Sequence, residues 1–153
     1  MIEYSKVKVL NEMELSFSAF SENEALARVC VASFAASKNP TLEEISDIKT
    51  AVSEAVTNAI VHAYPDSIGR VTLKAKICEG NVLEVTIKDA GKGISDVEKA
   101  RQPMYTTGGE ERSGMGFTIM ESFMDGLTVR SNPGRGTTVT MQKKIASRAT
   151  GQR

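Results

Sequence analysis

Polar and apolar positions along the chain fall into runs with a period of two or a period near 3.6, and turn signals close each run. Met13, Leu15, Phe17 and Ala19 alternate with Glu14, Ser16 and Ser18, the pattern of a half-buried strand. Ser21 followed by Glu24 reads as a capping box opening a helix that carries Ala25, Leu26, Val29, Cys30 and Ala32. Asn39-Pro40 breaks it. Thr41 with Glu44 repeats the box and starts a longer helix. Its apolar stripe is Leu42, Ile45, Ile48, Val52, Ala55, Val56, Ala59 and Ile60, the i, i+3, i+4 spacing of an amphipathic helix. Pro65 and Gly69 mark its exit.

A hairpin follows. Val71, Leu73, Ala75 and Ile77 alternate with Thr72, Lys74 and Lys76, Glu79-Gly80-Asn81 makes the turn, and Leu83, Val85 and Ile87 alternate on the return. Asp89-Ala90-Gly91-Lys92-Gly93 closes that strand, and Ser95 with Glu98 could cap a short helix to about Ala100. Arg101 to Ser113 has little periodicity and contains Pro103, Gly108 and Gly109, the profile of a mobile loop. A helix from about Met115 to Met124 comes next. Strands near Leu127–Ser131 and Thr137–Lys143 follow, joined by Asn132-Pro133-Gly134-Arg135-Gly136.

The order β-α-α-β-β-α-α-β-β predicts an α/β two-layer sandwich, with a mixed, mainly antiparallel sheet covered by helices on one face. Alternation within the strands supports a single covered face, since a sheet buried on both sides reads as continuous apolar runs. At 153 residues the chain fits one domain, expected over residues 1–143. Residues 144–153 are expected to form a basic, frayed tail: from Gln142 onward there are Lys143, Lys144, Arg148 and Arg153 and no acidic residue.

Lys+Arg and Asp+Glu are equal at 19 each, a balance that favours neither nucleic acid nor an anionic membrane as partner. No apolar run approaches the ~20 residues needed to span a bilayer. Cys30 and Cys78 have no CxxC spacing and read as small buried thiols of a reducing compartment, so a cytosolic location is expected.

Three motifs carry candidate chemistry. Glu54 and Asn58 lie four apart on the long helix and project together, on the side opposite the core stripe. Such a pair is ordinarily solvated surface, but Val61 on the same side suggests partial cover. An amide oxygen suits a hard cation such as Mg²⁺ that keeps most of its waters, and a Glu beside it could orient or deprotonate an attacking hydroxyl. Asp89-x-Gly91-x-Gly93 follows a strand. An ionised carboxylate only accepts, so Asp89 can receive the exocyclic amine of adenine but not the guanine carbonyl, and the glycines allow tight turning and close approach to a ligand. Arg112-Ser113-Gly114-Met115-Gly116 opens a helix, where unpaired N–H groups and the dipole favour a phosphate chain, and Arg112 adds a planar cation. No Lys-Ser/Thr follows these glycines, which excludes a Walker A loop. Each motif alone has a plain structural reading. Their occurrence together, in this order, does not.

These residues resemble the GHKL ATPase/kinase superfamily: Glu54–His62 its N box, Asp89–Gly93 its first glycine box, Gly114–Gly116 its second. Within it the chain is similar to the anti-sigma factor serine kinases of spore-forming bacteria, through VSEAVTNAIVHAY (52–64), RQPMYTTGGEERSGMGFTIMESFMD (101–125) and ARVCVASF (27–34). The likeness runs from about Asn11 to Lys143, with loops near Pro65–Arg70 and Thr107–Glu111 somewhat shorter than the family's. It implies a Bergerat-type fold that binds ATP or ADP with Mg²⁺. It also implies sequestration of a sporulation sigma factor from RNA polymerase core, and phosphorylation of a serine on an anti-anti-sigma factor. Carried over by position, Glu54 is the catalytic base and Asn58 the metal ligand. Asp89, Gly91, Gly93 and Thr137 serve the adenine end. Arg112, Ser113, Gly114, Met115 and Gly116 hold the phosphates, and Arg101–Ser113 is the ATP lid. Arg28 matches a partner-binding residue, and the resemblance implies a homodimer.

Three other readings compete. A histidine kinase is disfavoured because the one histidine, His62, lies inside the nucleotide helix motif. A general-stress-response anti-sigma kinase would share the chemistry but matches Arg101–Asp125 less well. A sigma-sequestering module without kinase activity would have no use for Glu54.

Overall fold

The computed structural model describes residues 7–102 and 116–146. Five strands form one sheet in the order β1-β2-β3-β5-β4, namely β1 (Val9–Ser18), β2 (Arg70–Cys78), β3 (Val82–Asp89), β4 (Gly126–Asn132) and β5 (Gly136–Lys144). All four neighbouring pairs run antiparallel, so the mainly antiparallel sheet expected is antiparallel throughout among the described strands. The helices are α1 (Asn23–Ala35), α2 (Leu42–Val61), α3 (Val97–Ala100) and α4 (Gly116–Phe123), with a 3₁₀ turn at Ala36–Lys38. The two-layer sandwich is the observed architecture.

Alternation in the strands places Val71, Leu73, Ala75 and Ile77 of β2, Leu83, Val85 and Ile87 of β3, and Val139 and Met141 of β5 in the core. Side chains of opposite parity, such as Lys74, Thr86 and Thr140, lie on the uncovered face. Helix α2 closes the core with Ile48, Val52, Ala55, Val56, Ala59 and Ile60, and α1 and α4 pack against it.

Local chemistry sets the element ends. The Thr41 hydroxyl accepts from the Glu44 N–H (2.9 Å) while the Glu44 carboxylate accepts from the Thr41 N–H (2.8 Å), a complete capping box. Asn39 adopts a left-handed conformation (φ 58°) that stops the preceding turn before Pro40. In the β2–β3 loop Gly80 and Asn81 both have positive φ (85° and 60°), which glycine and asparagine tolerate best.

Four expectations change. The first capping box does not form: α1 begins after Glu22 with no side-chain cap, and Asn23 instead donates to the Ser18 carbonyl (2.8 Å). The buried face of α1 is Ala27, Val31 and Ala35, not the one carrying Leu26 and Val29, which stay 47% and 56% exposed. Small residues at i, i+4 and i+8 permit close packing on α2, and that contact overrides the larger apolar side chains. Leu42 is 89% exposed, and the apolar face of α2's first turn is carried by Ile45, which packs against the core. The cap of α3 is Asp96, whose Oδ1 accepts from the Lys99 N–H (3.1 Å), rather than Ser95.

Of the cysteines, both free, Cys78 is buried and Cys30 half-buried, and burial pushes the Cys78 thiol above its usual pKa. Strand β5 runs to Lys144, and most of the expected tail lies outside the described residues. Ile145 is fully buried, and the Ala146 N–H donates to Glu44 Oε2 (3.0 Å). Among the described residues no helix is long and apolar enough to cross a membrane.

The Thr41–Glu44 box makes a stability prediction. Thr41→Ala should cost about 1 kcal/mol, lowering the urea midpoint at unchanged slope; an unmoved midpoint would contradict the cap's contribution.

Candidate functional site

One row of the sheet, running across all five strands, aims at the helix layer. Its members are Phe17, Val71, Asp89, Thr137 and Ser131, paired successively by strand register. The parity that buries Leu83, Val85 and Ile87 also drives Asp89 inward, so a carboxylate stands at the end of an apolar face. It is only 7% exposed. Its Oδ1 accepts from the N–H groups of Gly91 (2.9 Å) and Thr137 (3.2 Å), and neither bond falls on Oδ2. Burial raises the Asp89 pKa above the ordinary carboxylate value, and the two N–H bonds oppose that rise.

The loop after Asp89 is wedged between the end of α2 and the β4–β5 turn. The Lys92 N–H donates to the Ala63 carbonyl (2.9 Å), and the Gly134 N–H donates to the Lys92 carbonyl (2.6 Å). A Cβ at Gly91 would collide with the Ala63 carbonyl, and one at Gly93 (φ 78°) with the Asn132 carbonyl. Backbone thus packs closely against backbone at both glycines, and Gly93 also lines the cavity described below. Gly136, at φ 119°, likewise has the Asp89 carbonyl where a Cβ would stand. Tyr64, a residue sequence reasoning passed over, accepts from the Ala90 N–H (2.7 Å) and donates to the Arg70 carbonyl (2.8 Å).

Glu54 and Asn58 are half-buried rather than solvated. The cover comes from the start of α4 and not from around Val61, which is 38% exposed. A Cβ built on Gly116 would lie 3.1 Å from Asn58 Nδ2 and 3.4 Å from Glu54 Oε1. The helix-borne acid and amide thus meet the first described residue of the second glycine motif.

Asn58, Asp89, Gly93, Gly116 and Thr137 line a single cavity of about 310 Å³. Ile87, Val139, Ala59, Phe117 and Ile94 supply apolar walls, and His62, one turn beyond Asn58, reaches the same space. A cavity with apolar walls, a buried carboxylate and a helix-borne amide suits a heterocycle carrying a donor, joined to a polar chain. Arg112, Ser113, Gly114 and Met115, with most of the expected lid, lie outside the described residues. Arg101 is described and forms an ion pair with Glu121 of α4. Arg28 stands elsewhere, on α1, its Nε donating to Glu24 Oε2 (3.0 Å).

Sequence reasoning also missed Ser131 and Ile94. The Ser131 hydroxyl accepts from the Ile94 N–H (2.7 Å) and lies 2.8 Å from Thr137 Oγ1. Strand parity could have found Ser131, two residues from Val129 on the covered face. Nothing local marks Ile94.

Comparison with known proteins agrees with this geometry. A family model described as the histidine kinase-like ATPase domain matches residues 17–143. The anti-sigma F factor of Thermoanaerobacter sp. (strain X514) is 58% identical over 138 residues, covering 90% of this chain and 96% of that protein. The anti-sigma F factor of Clostridium acetobutylicum is 57% identical over 137 residues, covering 89% and 95%. Among solved structures, the RsbU and RsbW domains of a Mycobacterium tuberculosis protein superpose with a TM-score of 0.67 at 18% identity, over 92% of this chain and 34% of that one. A mycobacterial sensor histidine kinase, MprB, gives 0.56 at 15% identity, over 89% and 100%. The solved structures speak to the fold alone.

The raised Asp89 pKa has a definite sign. A carboxylate whose folded pKa lies above its unfolded value contributes stability below the unfolded pKa and loses it as pH rises through the folded one. Asp89→Asn keeps an oxygen for the two N–H bonds and removes the ionisation penalty. Its unliganded melting temperature should match or exceed wild type at pH 7, by about 2–4 °C per kcal/mol for a chain of this size. The gap should close as pH falls through the carboxylate range. A variant less stable at pH 7 than at pH 4, relative to wild type, would contradict the burial penalty.

Proposed function

The chain belongs to the anti-sigma F factor family within the histidine kinase-like (GHKL) ATPases, and on that premise we propose that it both sequesters a sporulation sigma factor and acts as an ATP-dependent serine kinase on an anti-anti-sigma factor. The single observation that carries the catalytic half is that Asn58 and Gly116 line the same cavity as Asp89, with Glu54, itself outside the lining, beside Gly116.

Adenine fits the inner end chemically. Asp89 Oδ2 accepts from its exocyclic amine, and Ile87 and Val139 flank it. The phosphate chain then runs toward Asn58, with Arg112 and the backbone of Gly114–Gly116 as further donors. Asn58 suits Mg²⁺, which, when bound, neutralises charge on the phosphate oxygens. Glu54 holds the substrate serine hydroxyl. As the serine oxygen bonds to the γ-phosphorus, the bond from phosphorus to the bridging β–γ oxygen breaks, ADP leaves, and the hydroxyl proton passes to the Glu54 carboxylate. The apolar walls and α4 exclude water that would compete with the serine.

The anti-sigma half needs a protein-binding surface. Helix α1 offers one in Leu26 and Val29, both exposed, flanking Arg28. A homodimer is part of the same reading: among the described strands β1 pairs only with β2, and it carries exposed Val9 and Leu10. A sequestering module without kinase activity is disfavoured by the half-buried acid beside the amide.

Purified protein, labelled ATP and candidate anti-anti-sigma proteins should yield phosphoserine; a sigma complex that forms with nucleotide while no candidate is labelled would favour the non-catalytic module. Glu54→Gln should reduce phosphoryl transfer at least a hundredfold, within the range for general-base removal, and leave ATP affinity within a few-fold. Equal transfer rates would remove Glu54 from this role. Asn58→Ala should weaken Mg-ATP binding, and calorimetry showing unchanged affinity would overturn the ligand assignment.

A further inference from the structure

Ser131 occupies the outermost strand of the row that contains Asp89 and does not line the cavity itself. Its hydroxyl nevertheless has three partners: the Ile94 N–H at 2.7 Å, the Gly136 carbonyl at 3.0 Å and Thr137 Oγ1 at 2.8 Å. A hydroxyl has one hydrogen and two lone pairs. The Ile94 N–H can only donate, so it takes one lone pair. The Gly136 carbonyl can only accept, so it takes the hydrogen. One lone pair remains, and the Thr137 hydroxyl must donate to it.

That assignment has a consequence for the cavity. With its hydrogen directed away into Ser131, Thr137 presents only lone pairs to the space it lines. Asp89, its register partner, presents a carboxylate oxygen there. Asp89 and Thr137 are then both acceptors, and a ligand edge in direct contact with them must bring donors to both. We propose that Ser131 is a positioning residue that fixes Thr137 as an acceptor and so strengthens selection for a 6-amino purine over a 6-oxo purine, resting on the nucleotide-binding reading above. Ser131 also ties the backbone of Ile94, a cavity wall, to β4.

Without the Ser131 hydroxyl, Thr137 can rotate and donate to a 6-oxo oxygen. Simple loosening of the loop would weaken both kinds of base alike, so the ratio of affinities separates the two effects. The test is calorimetric titration of the full chain with Mg-ATP and with Mg-ITP. Ser131→Ala should narrow the ATP-to-ITP affinity ratio about tenfold relative to wild type, and Ser131→Thr, which keeps the hydroxyl, should restore it. Ser131→Cys, similar in volume and a weak hydrogen-bonding group, should narrow the ratio as alanine does and serves if the alanine variant does not fold. In a Thr137→Val background Ser131→Ala should leave the ratio unchanged. A wild-type protein that binds ATP, with an unaltered ratio in Ser131→Ala or Ser131→Cys, would overturn the assignment to Ser131 alone. A wild-type protein that binds neither nucleotide would overturn the nucleotide reading and this inference with it.

Discussion

A carboxylate buried at the end of an apolar sheet face is the constraint on which the rest of the site depends. Asp89 costs free energy where it stands, and two backbone N–H bonds only partly offset its loss of water. Those bonds require the chain to fold back at Gly91 and to bring β5 alongside at Thr137. The return path is crowded: Ala63, Asn132 and Asp89 itself place carbonyl oxygens where Gly91, Gly93 and Gly136 would carry a Cβ. Three glycines, a tyrosine strut and the β4–β5 turn therefore serve one acceptor. Such a local cost held in place by surrounding structure is common at functional sites.

The helix layer meets this acceptor from the other side. The small residues Ala55 and Ala59 let α2 lie close to the sheet, leaving room beside Ile87 and Val139 for a flat ligand. Helix α4 begins over Glu54 and Asn58, and glycine at position 116 keeps its first turn from filling the space above the acid and amide. Phe117 and Met120 then anchor α4 in the core, so packing holds its first described turn in place.

Much of this was legible from pattern alone. Strand parity placed Leu83, Val85 and Ile87 correctly and carried Asp89 with them to the covered face. The Thr41–Glu44 box and the i, i+4 spacing of Glu54 and Asn58 needed only local chemistry. What escaped depended on neighbours far along the chain. Whether α1 buries Leu26 or Ala27 is decided by how closely α2 can approach, which no helical period reveals. The half-burial of Glu54 depends on α4, whose start lies more than fifty residues further along. The carbonyls that Gly91 and Gly93 accommodate belong to Ala63, just past α2, and to Asn132, at the end of β4, and local pattern does not show them. Parity puts Ser131 on the covered face, but its three partners come from a loop and the adjacent strand, so its hydrogen bonds had no local signature.

In the proposed site a helix acid and amide, a sheet carboxylate and a glycine-led helix start enclose one nucleotide per chain. Isothermal titration of the unmodified protein with ATP in the presence and absence of Mg²⁺ tests it most directly. The account predicts saturable binding at one site per chain that tightens when magnesium is added. Absence of saturable heat, or binding indifferent to magnesium, would contradict it.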